Sequence, residues 1–153
     1  MVNFYRRLYD MASNLPFMLR VKNLAYHMGV KGFAGQLLDE IPISHPRWFE
    51  IASANVDSTE LSVRNQIMKG IMSRGLIDKV SVRPKIMPII LRFLKEGTNE
   101  HRRQAIDFIA SRPDIFTPDN DPLVGQLNVS LRDRDAHVAN TAEKLIKKFR
   151  GEK

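Results

Sequence analysis

The sequence contains no cysteine. That one absence excludes disulfide scaffolds, thiol nucleophiles and cysteine-based zinc modules. Histidine is scarce. His27, His45, His101 and His137 are the only four, they form no H-E-x-x-H pattern, and no two lie within helical reach of each other. His137 follows Asp133 by four residues, but two ligands alone do not make a site. Asp119-Asn120-Asp121-Pro122 opens like a calcium loop, yet it lacks a glycine at the sixth position and has Ser130 where the twelfth needs an acid. There is no G-x-S-x-G elbow, and Asp39 and Glu40 are adjacent, so on a helix they cannot face one another as an acid–base pair. No metal, cofactor or catalytic residue is expected. Long apolar runs are missing too, so nothing approaches the roughly 20 residues that span a bilayer. The first residues, MVNFYRRLYDMASN, carry charge inside their apolar stretch and do not read as a signal peptide. These absences leave a soluble, cytoplasmic protein with no membrane partner as the expectation.

What the 153 residues do contain is a core's worth of apolar side chains, 43% of the chain, with 27% charged. They also contain a period. Pro46, Pro84 and Pro122 are spaced at equal intervals of 38 residues. Each opens an apolar stretch: Trp48, Phe49, Ile51 and Ala52; then Ile86, Ile89, Ile90, Phe93 and Leu94; then Leu123, Val124, Leu127 and Leu131. Proline in the first turn of a helix gives up no hydrogen bond and pre-sets φ, so each marks a helix start. Asp121 offers an N-cap before Pro122, and Pro88 marks a later place at which the second unit's helix could begin.

A second helix follows in each unit. Val63, Ile67 and Ile71 recur as His101, Ala105 and Ile109, and again as Val138, Ala142 and Ile146, each set an i, i+4, i+8 stripe. The short polar turns VDSTE, EGTNE and RDRDA between paired helices force them antiparallel. The spacing therefore predicts helices over 46–55, 60–73, 84–96, 99–111, 122–132 and 136–149, and no strand.

In these residues the chain resembles HEAT and armadillo repeats, over about residues 46–149. Their second helix often begins Val-Arg, as Val63-Arg64 does here, and the turn before it carries an acid. Ala139 departs from that pattern, and Ser58 stands where an acid is expected. Glu96 with Arg102 supplies both members of the family's acid–base ladder inside one repeat; Glu96 or Asp133 could instead pair with an arginine of the preceding repeat, leaving Arg64, Glu96, Arg102 and Asp133 as ladder candidates. The resemblance implies an all-α, short right-handed α-solenoid of about three antiparallel helical hairpins, and it carries no catalytic residue. The expected organisation is a single domain over 1–153, with an N-terminal helical cap over 1–43 and repeats over 46–76, 84–113 and 121–150. In the cap, Phe4, Leu8 and Met11 mark one helix, Phe17, Val21, Leu24 and Met28 a second, and Phe33, Leu37, Leu38 and Ile41 a third.

The functional signal is the charge. Lysine and arginine number 24 against 17 acids, for a net +7. Arg6, Arg7, Arg20, Lys22 and Lys31 crowd the first 31 residues, where Asp10 is the only acid. Lys79, Arg83 and Lys85 form a second group. Arg47 and Lys85 each follow a repeat proline, so they should share one edge of the stack. The segment from Gly29 to Gly35 contains a GxxG that is similar to a helix-hairpin-helix turn, although it reads more simply as a bend between two cap helices. Tyr5 and Tyr9 are candidates for base stacking, or for the half-buried side of a helix. Three functions fit. The first is a non-enzymatic scaffold that binds a protein partner through stacked helices. The second is a sequence-tolerant DNA- or RNA-binding protein that uses the basic edge. The third, more distant, is a DNA glycosylase-like enzyme with a pocket at Trp48. The oligomeric state is not legible.

Overall fold

The computed structural model describes residues 15–29, 32–43, 45–73 and 75–151. Among them are eight helices and no strand. These are α1 (Phe17–His27), α2 (Phe33–Glu40), α3 (Pro46–Ala54), α4 (Leu61–Ile71), α5 (Arg83–Glu96), α6 (Asn99–Ser111), α7 (Asp121–Ser130) and α8 (Ala136–Phe149). The helix marked by Phe4, Leu8 and Met11 lies outside the described residues. No described helix is long and apolar enough to cross a membrane.

Local chemistry sets the boundaries. Pro46, Pro84 and Pro122 each stand at the first or second residue of a helix, where a missing N–H costs nothing. Pro88 does not delay α5; it lies inside the helix, one turn after its start. The start of α7 differs from expectation in its cap. Asn120, not Asp121, is the N-cap, its Oδ1 accepting from the Leu123 amide at 3.1 Å. Thr98 caps α6 in the same way, through the His101 amide. Asp135 caps α8 with two acceptances, from His137 at 2.9 Å and Val138 at 3.3 Å.

The chain divides into two units, residues 1–86 and 87–153, with the boundary inside α5. In the first, α2 packs on α1, α3 and α4. Its core is Leu37, Leu38, Ile41, Trp48, Ile51, Ile67 and Ile71, all buried. The Trp48 Nε1–H donates to the Leu38 carbonyl at 3.0 Å, so the indole buries without an orphaned donor. Its six-membered ring lies directly over Gly70, where a Cβ would sit only 2.7 Å from Cη2. Trp48 opens α3 and Gly70 closes α4, so the two helices run antiparallel, as their short turn requires.

In the second unit, α8 packs on α6 and α7. The buried side chains include Phe93, Leu94, Ile106, Leu123 and Leu127. The sequence stripes Val63/Ile67/Ile71, His101/Ala105/Ile109 and Val138/Ala142/Ile146 are all buried. His101 takes an apolar position and packs edge-on against Phe93, ring centroids 5.3 Å apart. Three polar pairs join α6 to the start of α8: Arg102 with Asp133, Arg103 with Asp135, and Asp107 with His137. Partner numbers rise together, so α6 and α8 run parallel.

The α1 stripe is the exception to inward-facing periodicity. Phe17, Val21, Leu24 and Met28 are 68%, 45%, 42% and 69% exposed. The face that α1 buries carries Leu19 and Asn23 instead.

Candidate interaction surfaces

The basic residues separate into three groups. Arg6, Arg7 and Lys31, with Tyr5 and Tyr9, lie outside the described residues. Three others are committed within the fold or partly so. Lys22 pairs with Glu40 at 2.9 Å, Arg83 donates from Nε to the Ile77 carbonyl at 3.1 Å, and Arg20 is half-buried on α1. Lys79 and Lys85 are exposed, the latter with its ammonium 5.6 Å from the centre of the Phe49 ring.

Arg47 overturns the expected edge. Its side chain is buried and cannot share an exposed row with Lys85. The reason is on α1 and α3. Nε donates to Asn23 Oδ1 at 2.7 Å, Nη1 donates to Glu50 Oε2 at 2.8 Å, and Nη2 contacts His27 Nε2. The guanidinium also lies over the Tyr26 ring, 5.9 Å from its centre. A guanidinium only donates, so His27 accepts and is neutral. His45 is neutral for a similar reason, because its Nδ1 accepts from the Arg47 amide at 3.0 Å and so caps α3.

Burial first, and the Arg47 charge second, hold both imidazoles below their ordinary value of 6.5, and Glu50 only partly opposes this. The stability consequence has a definite sign. With the folded values depressed, the unfolded chain takes up protons first as pH falls. Stability is complete above about pH 7 and is lost from 6.5 down through the lowered folded values. Urea denaturation followed by fluorescence of Trp48, the only tryptophan, should show a lower midpoint at pH 5.5 than at pH 7.5. An unchanged midpoint would mean that the two rings are not held neutral.

The ladder candidates do not pair as Glu96 with Arg102. Glu96 pairs along its own helix with Arg92 at 3.5 Å, and Arg102 reaches Asp133 in the turn before α8. That second pair is bidentate, Nε to Oδ2 at 2.8 Å and Nη2 to Oδ1 at 2.9 Å. Arg102 also donates to the Gly97 carbonyl and to Asn99. Burial opposes ionisation of Asp133, but the bonds from Arg102 and the Asp135 amide outweigh it and hold the carboxyl below the ordinary carboxylate range. Asp135 is held low as well: burial opposes, and the Val138 amide and Arg103 prevail. Arg64 is half-buried in the first unit, with no hydrogen-bond partner for its Nε among the described residues.

These pairings leave a surface that the sequence did not announce. In the turn Arg132-Asp133-Arg134-Asp135 both acids are consumed, one by Arg102 and the other by the α8 cap and Arg103 at 2.6 Å. Both arginines of that turn are exposed and form no ion pair among the described residues. With Lys95 they line an open groove of about 850 Å³. Ser130 lines it as well, its buried Oγ unpartnered among the described residues. The signal in the sequence was the alternation of charge: an acid just before an apolar helical stripe is a cap, and a capping acid no longer neutralises its neighbours.

The remaining candidates carry less. Gly29 and Gly32 both have left-handed φ, +84° and +92°; Gly29 follows the end of α1, and Gly32 is the N-cap residue of α2. Among the described residues no group of three or more histidine or acidic side chains could hold a metal. No family model, curated protein or solved structure matches this chain.

Proposed function

We propose that the chain is a non-enzymatic helical-repeat scaffold that binds a protein partner, and that its hairpins follow one another as in a right-handed HEAT- or armadillo-like solenoid. The 38-residue proline period and the parallel course of α6 and α8 support the repeat. One observation carries the binding role: the i, i+4, i+7, i+11 stripe of α1, Phe17, Val21, Leu24 and Met28, faces outward. A contiguous exposed apolar stripe of this kind loses free energy to water and marks an interaction surface. The nucleic-acid reading loses a contact, because Arg47 is spent inside the fold. The glycosylase-like reading loses its pocket residue, because Trp48 is buried and packed against Gly70.

The test is the double variant Val21→Glu/Leu24→Glu. If α1 displays its stripe, thermal unfolding should stay within about 0.5 kcal/mol of wild type, as for other surface changes. A partner captured by the wild-type protein, identified by mass spectrometry and re-bound in purified form, should then bind the variant at least about tenfold more weakly. A large loss of stability would place the stripe inside the fold and overturn the reading. So would equal binding of the purified partner. Labelled DNA or RNA bound at physiological salt, with affinity lost on replacing Lys79 and Lys85, would establish the second function instead.

A further inference from the structure

The RDRDA turn is close to neutral in sequence and cationic in the folded protein. Asp133 and Asp135 are turned to the α6 arginines and to the cap of α8, which leaves Arg132 and Arg134 outside with no counter-charge. Lys95 lines the same groove, exposed and likewise without an ion pair among the described residues. The Arg102–Asp133 pair, which lines it too, is internally neutral. Three uncompensated cations thus surround one open depression of about 850 Å³.

The rest of the lining selects among anions. Val129 and Leu131 are 63% and 40% exposed beside the cations, so apolar surface and positive charge alternate. Gln126 also lines the groove and makes no side-chain hydrogen bond among the described residues, which leaves both an amide donor and an acceptor. An extended peptide uses all three features: carboxylates for the cations, an apolar side chain for Val129 and Leu131, and its own backbone for Gln126. A nucleic acid strand would need a flat π surface for its bases, and no aromatic residue lines the groove.

We propose that this groove docks an acidic extended segment of a protein partner, with aspartate or glutamate residues flanking an apolar side chain. The proposal rests on the scaffold reading for its class of partner, but it uses a surface of the second unit and none of α1.

The experiment uses the full chain and a fluorescein-labelled dodecapeptide of alternating glutamate and leucine, titrated by anisotropy at low and near-physiological salt. Three variants are compared with wild type: Arg132→Glu/Arg134→Glu in the groove, Lys144→Glu/Lys148→Glu on the exposed face of α8, and Val21→Glu/Leu24→Glu on α1. All six positions are exposed, so helicity and melting should be retained. The groove variant should lose at least about tenfold in affinity, and the other two should stay within about twofold. Replacing the peptide's leucines by serine should weaken binding further. Equal losses in the groove and α8 variants would mean bulk charge attraction and overturn the proposal, as would failure of wild type to bind. Tighter binding of a single-stranded oligonucleotide, lost with the same groove variant, would make the surface a nucleic-acid site and overturn it too. Failure of the α1 test with success here would remove the stripe and leave the groove standing.

Discussion

Trp48→Ala should cost about 3–5 kcal/mol, because it removes the largest buried side chain of the first unit and orphans the Leu38 carbonyl that its indole N–H satisfies. The cavity cannot close cheaply. One wall is Gly70, which has no side chain to move into it. The reverse change at that wall is as informative. In Gly70→Ala the new methyl would overlap Cζ2 of the indole and lie 2.7 Å from Cη2. Alanine favours a helix over glycine by about 1 kcal/mol, but overpacking a close contact costs about 1–3 kcal/mol, so a net loss is expected. Phenylalanine lacks the two offending atoms. The Gly70→Ala penalty should therefore largely disappear in a Trp48→Phe background, a coupling that a double-mutant cycle by urea denaturation and far-UV circular dichroism measures directly. Additive effects would mean that the ring does not sit over the glycine.

The second large effect belongs to Arg47. Arg47→Met keeps the unbranched apolar stem and removes the donors that serve the buried Asn23 Oδ1 and the half-buried His27 Nε2. Taking the donor from a buried acceptor costs about 1–3 kcal/mol, so a loss of about 2–3 kcal/mol is expected. Arg47→Lys should rescue little, because an ammonium cannot serve three separately placed acceptors as the guanidinium fork does. Stability alone would not distinguish this cluster from ordinary packing, but histidine titration does. Arg47 is the second-largest cause of the lowered values of His27 and His45, so its removal should move both back towards 6.5 by NMR, with burial keeping them below it. Unchanged histidine titration together with unchanged stability would refute the cluster as drawn.

Arg47 also shows why the surface was harder to read than the helices. By residue type and by its place after a proline it matched Lys85, and an arginine is exposed by default. What buried it was Asn23 and His27, 24 and 20 residues earlier on another helix, and nothing local to Arg47 encodes them. The ladder has the same lesson. Both Glu96 and Asp133 stood within plausible reach of an arginine, and the choice of Asp133 for Arg102 depended on how α6 and α8 lie side by side. The groove cations Arg132 and Arg134 were present as letters in a near-neutral turn, and Lys95 stood beside Glu96 at the end of α5. They became a charged surface only when the neighbouring acids were turned inward.

The sequence by itself determined the all-helical class and most of the helix limits: prolines at helix starts, short polar turns between paired helices, and apolar residues at helical spacing. Those signals act within one turn of the chain, through φ restriction, orphaned amides and side-chain periodicity, so they can be read before any packing is known. Only the tertiary structure decided which face of α1 is left in water, which arginine is buried and which acids are neutralised. Each of those depends on what a distant helix brings to the same place. An amphipathic stripe records that a face is apolar; whether anything covers it is settled by the neighbours that packing supplies.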